Sequence, residues 1–154
     1  MFALGVDPGG TWTGLVARRG DELVEFAVLR RPAGQDDRIW VTRVLEECRV
    51  LEALRRTGEP LVVAVESLNP PIGRMGMITL AGLIGAAAVY GAVLGEYPAA
   101  VTVSPGGHGS APLGAYPPAL RGARETQGTG RWRHARSAWD VAGAAVFLAK
   151  VGAR

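Results

Sequence analysis

The chain has almost no cysteine and almost no lysine. One cysteine in 154 residues, Cys48, excludes an intrachain disulfide framework and a cysteine-ligated zinc site, and fits a reducing cytoplasm. One lysine, Lys150, stands beside 16 arginines. The guanidinium fork pairs with phosphate in a planar, bidentate way, so this bias suits nucleic acid; it equally suits a GC-rich or thermophilic genome. The N-terminus lacks a basic n-region and an apolar h-region, so no signal peptide is expected. Charge is missing over residues 75–95, a run of 21 residues about long enough to span a bilayer. Its glycine and alanine content points instead to a closely packed, buried helix, and no membrane partner is expected. There is no internal repeat.

What is present is ordinary for one globular domain: 48% hydrophobic and 20% charged residues, with a formal net charge of +3. Residues 2–7, 11–17 and 22–29 are short, turn-bounded strand patterns, a meander. Asp36 and Asp37 mark a helix start. Ile39, Val41, Val44, Leu45, Cys48, Leu51 and Leu54 then recur at helical spacing to about Arg56, before the Gly58–Pro60 stop. Residues 61–65, "LVVAV", read as a strand covered on both faces. The small-residue helix follows, then a fifth strand over 100–103. Residues 105–130 are rich in glycine and proline and are expected to be a flexible loop. A last helix spans about 131–150, with Val141, Ala144, Ala145 and Leu148 as its apolar face. Three meander strands followed by alternating helices and strands predict one mixed five-stranded α/β sheet, three strands antiparallel and two parallel, with helices on both faces. This is the ribonuclease H-like order, in a single domain over 1–154.

Three acids occupy unusual settings. Asp7 ends the first apolar strand and Glu66 ends the fourth. If these strands are neighbours, both carboxylates emerge at the same end. Asp140 lies in the last helix, three residues after Ser137 and six after His134. A carboxylate beside a core costs several kcal/mol unless it is paired or binds a metal, roughly. No lysine or arginine lies within five residues of Asp7. Clustered acids without bases suit Mg²⁺, which takes oxygen ligands and is usually held by one or two carboxylates. Two such ions about 3.5–4 Å apart activate water and stabilise a leaving oxygen in phosphodiester cleavage. Each acid also has a plainer reading: a turn cap at Asp7, a solvated strand end at Glu66, a surface helix acid at Asp140.

The stretches "LGVDPGGTWTG", "VAVES", "GLIGAAAVYGA" and "SAWDVAGAA" together resemble the RuvC-like Holliday-junction resolvases, in order and over almost the whole chain. The resemblance implies a ribonuclease H-like fold and a homodimer. It also implies a Mg²⁺-dependent crossover junction endodeoxyribonuclease that places paired nicks across four-way DNA. Two ions per site are implied, with Mn²⁺ as a substitute. Asp7, Glu66 and Asp140 match three of the four metal-binding acids. At the fourth position, usually an acid or a histidine, stands Ser137. His134, one turn earlier on the same ridge, is either a catalytic or liganding substitute or a helix-start residue facing solvent. A small resolvase with this departure fits the cytoplasm of a bacterium or of a phage-infected cell.

Two other readings compete. The Asp-Pro-Gly-Gly-Thr turn also resembles the phosphate-binding turn of hexokinase- and actin-like ATPases. That machinery needs two such domains, so no nucleotide cofactor is expected here. A general branched-DNA debranching nuclease, or a non-catalytic junction-binding domain, would share the fold.

The basic charge is local. Residues 105–136 carry five arginines, Arg121, Arg124, Arg131, Arg133 and Arg136, against one acid, Glu125. Each is a candidate phosphate contact. Trp132 is a candidate for stacking, and Trp139 reads as core. After Glu66, "SLNPPIGRMG" offers Leu68, Ile72 and Met75 as a junction wedge and Arg74 for phosphate; the alternative is an ordinary strand-to-helix connection.

Overall fold

The structure is a computed structural model, and it describes residues 1–68, 80–122, 125–126 and 130–152. Five strands form one sheet in the order β3-β2-β1-β4-β5. They are β1 (Phe2–Asp7), β2 (Trp12–Arg19), β3 (Glu22–Arg30), β4 (Leu61–Glu66) and β5 (Val101–Val103). The β1–β2 and β2–β3 pairs are antiparallel. The β1–β4 and β4–β5 pairs are parallel. The helices are α1 (Asp37–Glu52), α2 (Leu80–Glu96) and α3 (Trp132–Gly152). The expected ribonuclease H-like architecture is therefore present.

Strand periodicity decides which residues meet which helix. Phe2, Leu4 and Val6 of β1 and Val63 and Val65 of β4 face a core closed by α1 and α2, with Trp40, Val44, Cys48, Leu51, Val89 and Val93. The alternate residues are small: Ala3 packs with Ala142 and Val146, and Ala64 with Val141 and Ala145, all on α3. Small residues let α3 lie close on this face. A Cβ at Gly5 would overlap the Ala138 carbonyl oxygen, and one at Gly14 the His134 carbonyl oxygen. The same alternation continues to Asp7 and Glu66, which place their carboxylates on the α3 side.

Asp36 caps α1, its carboxylate accepting from the Arg38 N–H at 2.8 Å. The helix is shorter than its apolar pattern: it stops at Glu52, leaving Leu54 exposed, and Ile39 is also exposed. Its strongest core residue is Trp40, which also donates from Nε1 to the Gly9 carbonyl at 3.3 Å. That bond ties α1 to the turn after Asp7. On α3 the expected apolar face is present at Val141, Ala144 and Ala145 and extends further toward the N-terminus. Ala135, Ala138, Trp139, Val141, Ala142 and Ala145 are buried, whereas Leu148 is exposed.

The 105–130 segment departs most from expectation. Its described part is folded: single 3₁₀ turns form at Leu113–Ala115 and Pro118–Leu120. Tyr116 and Leu120 are buried against Val16, Ala135 and Ala138. Tyrosine and leucine in a glycine- and proline-rich run supply enough apolar area to fix it without periodic structure. Among the described residues no helix is long and apolar enough to cross a membrane.

Candidate active site

The parallel register pairs Val6 with Val65, so Asp7 and Glu66, one residue further on, leave the sheet side by side. Burial and the Asp7 charge push the Glu66 carboxyl above its ordinary range, against the opposing effect of hydrogen bonds from His108 and Ser137. The two acids are a like-charge pair at a partly dehydrated sheet end.

α3 begins just above them. His134 Nδ1 is 2.8 Å from Asp7 Oδ2. The Ser137 hydroxyl donates to Glu66 Oε2 at 3.0 Å. Thus the two residues left open by the sequence both touch the acids, His134 on Asp7 and Ser137 on Glu66. His108, not singled out from the sequence, lies 3.0 Å through Nδ1 from Glu66 Oε1. The only available signal was scarcity: His108 and His134 are the chain's two histidines, and both end here.

Asp140 is the next turn of α3. Its Oδ2 accepts from the Gly109 N–H and the Tyr116 hydroxyl, each at 2.9 Å. Burial pushes the Tyr116 phenol up to about 12. The Arg18 guanidinium is also close enough to interact with the Asp140 charge. Asp140 therefore has a guanidinium nearby.

Among the described residues, no group of three or more His, Cys, Asp and Glu side chains is arranged to hold a metal ion. The expected three-acid ligand set is therefore not closed among the described residues. The donor chemistry at Asp7 and Glu66 does fit a hard divalent cation: two adjacent carboxylates, whose mutual repulsion a cation relieves, with water completing the shell.

The arginines divide. Arg131 and Arg133 are exposed at the start of α3. The Arg131 guanidinium lies 4.8 Å from the Trp132 ring centroid. Trp132 is half-buried and meets Phe26 edge-on with centroids 5.1 Å apart, so part of its ring belongs to the core. Arg121 donates to the Tyr116 and Gly114 carbonyls and holds its own segment. Arg136 is not a surface contact: it is fully buried, donating to the Leu120 carbonyl at 3.0 Å and to Glu125 at 3.1 Å. That buried pair prevents it from reaching a phosphate. Leu68 is half-buried after β4. Ile72, Arg74, Met75 and Arg124 lie outside the described residues.

The strand order and the helices are those of the ribonuclease H-like fold. Two solved structures share its architecture over nearly their full length. "T. thermophilus RuvC in complex with Holliday junction substrate" matches with a TM-score of 0.64 and 23% identity, covering 99% of this chain and 97% of that one. "Thermus thermophilus RuvC structure" matches with a TM-score of 0.58 and 24% identity, with the same coverage. No family model and no curated protein matches. At this identity the likeness establishes the fold.

Proposed function

We propose that the chain is a homodimeric, Mg²⁺-dependent, structure-selective endodeoxyribonuclease that resolves four-way junctions by paired phosphodiester nicks. The observation that carries this reading is the placement of Asp7 and Glu66 side by side at the strand ends, under the α3 turns bearing Ser137 and Asp140. The architecture is that of a RuvC structure in complex with Holliday junction substrate.

Asp7 and Glu66 would hold Mg²⁺, with Mn²⁺ as a substitute, and Oδ1 of Asp140 would be a further oxygen donor toward a second ion. Such ions supply an activated water and charge stabilisation at phosphorus. The chain's own residues do the rest. His134 orients the Asp7 carboxylate, and Ser137 and His108 fix the two oxygens of Glu66. Either imidazole is placed to take or return a proton at the site's edge. Arg131 and Arg133 receive the phosphate backbone. The buried, lone Cys48 thiol, pushed by burial up to about 12, is inert and suits a bacterial or phage-infected cytoplasm.

The test is cleavage of end-labelled four-way junction, three-way junction, linear duplex and RNA–DNA hybrid, with Mg²⁺ or with EDTA. Paired nicks confined to the four-way junction and to Mg²⁺ are expected. Asp7→Asn should abolish them while leaving junction binding in a gel shift intact. Nicks in every branched form would make the protein a debranching nuclease. Tight junction binding without cleavage in any divalent metal would make it a binding domain.

A further inference from the structure

We propose that Tyr116 is a positioning residue for Asp140, and that residues 108–121 form a structural arm whose purpose is to fix that carboxylate. The hydroxyl has little freedom. It accepts the Ala111 N–H at 3.1 Å, which directs its own proton to Asp140 Oδ2 at 2.9 Å. The ring is 2% exposed, packed among Val16, Leu120, Ala135 and Ala138, so the oxygen cannot swing away. Arg121 Nε donates to the Tyr116 carbonyl at 2.9 Å and fixes the backbone of the same residue.

The second donor on the same oxygen needs glycine. Gly109 has φ +75°, and a Cβ there would lie 2.6 Å from the Arg133 carbonyl oxygen and 3.0 Å from the Ser137 nitrogen. Only an unsubstituted backbone brings this N–H against α3. Two donors on Oδ2 leave Oδ1 as the donor atom for a cation. His108, adjacent to Gly109, reaches Glu66. One arm therefore touches both Glu66 and Asp140, and it joins two acids that come from different elements. Partners of this kind, which hold a ligand without touching the metal, typically alter metal affinity or activity by about 10–100-fold when removed.

The inference rests on the divalent-cation reading above, and the test separates the two. Tyr116→Phe keeps the ring and removes only the hydroxyl. Mn²⁺ binding to the DNA-free protein is followed by electron paramagnetic resonance of the free ion. Junction cleavage is followed against metal concentration. The variant is expected to bind Mn²⁺ roughly 10-fold more weakly and to need correspondingly more metal for half-maximal cleavage. Its saturating rate should recover at high metal, and its melting temperature and metal-free junction binding should match wild type. Gly109→Ala, which disturbs the other donor, should move the metal midpoint in the same direction and serves if the first variant folds poorly. Unchanged Mn²⁺ affinity in a folded variant, or a rate depressed by one factor at all metal concentrations, would overturn the assignment while sparing the metal reading. A wild-type protein that binds no Mn²⁺ would overturn both.

Discussion

Glu66 carries an electrostatic cost that the fold does not need. Its side chain is 15% exposed and lies beside Asp7, and both burial and that neighbouring charge raise its pKa. A carboxyl raised in the folded state binds its proton more tightly there than in the unfolded chain. The contribution of Glu66 to folding stability therefore falls as pH rises, from the ordinary value of 4.5 through the raised one, and stays lower above it. Glutamine copies the protonated form and can still meet His108 and Ser137. Glu66→Gln should match wild type near pH 4 and exceed it at pH 8 by about 1 kcal/mol, or roughly 2–4 °C in melting temperature. It should also lose cleavage. Denaturant unfolding in EDTA at the two pH values measures this, and a variant less stable than wild type at pH 8 would refute it. Stability given up at one residue is the usual mark of a site selected for reactivity.

α3 is the element on which sheet, site and substrate surface converge. His134, Ser137 and Asp140 recur every three residues and so share one face over the acids, while the small residues Ala135, Ala138 and Ala142 seat the helix on β1 and β2. Arg131, just before the helix, and Arg133, in its first turn, are exposed. Replacing both with alanine should weaken junction binding and flatten the plot of log affinity against log salt by up to about 2, one per lost phosphate contact. An unchanged slope would remove this turn from the DNA surface. Much of this was legible locally. The strand ends at Asp7 and Glu66 follow from apolar runs that stop on an acid, and the helix start from its breakers. Arg136 was not legible, because its partner Glu125 sits in a loop 11 residues away and charge alone argues for the surface. Tyr116 and His108 were hidden for the same reason: what identifies each is a contact with a distant acid, and their own stretch has no period to read. Leu54 and Leu148 erred the other way: each continues an apolar period yet is exposed.

At the scale of the whole molecule, one chain offers one pair of strand-end acids, whereas paired nicks need two sites. α2 suggests how two chains would meet. From Leu80 to Leu94 it carries no charge at all, and a helix apolar on every side is normally buried on every side. Only Gly85, Ala86, Val89 and Val93 are buried. Leu80 is 73% exposed and Ile84 50%. On the same outer face, Cβ atoms added at Gly91 and Gly95 would meet nothing within 4 Å. Glycine in a helix interior costs about 1 kcal/mol relative to alanine, and nothing among the described residues offsets that cost at either position. A second copy packed closely against this face would offset it, and a two-fold axis there would present two sites to a two-fold junction. Light scattering after gel filtration should give twice the 16.1 kDa chain mass for wild type and a monomer for Ile84→Glu. Ile84 lies outside the acid cluster, so the variant should keep Mn²⁺ binding while paired nicks give way to single, uncoordinated ones. A dimeric Ile84→Glu would place the interface elsewhere. A wild-type monomer that still nicks both strands together would remove the need for a partner, and with it this account of Gly91 and Gly95.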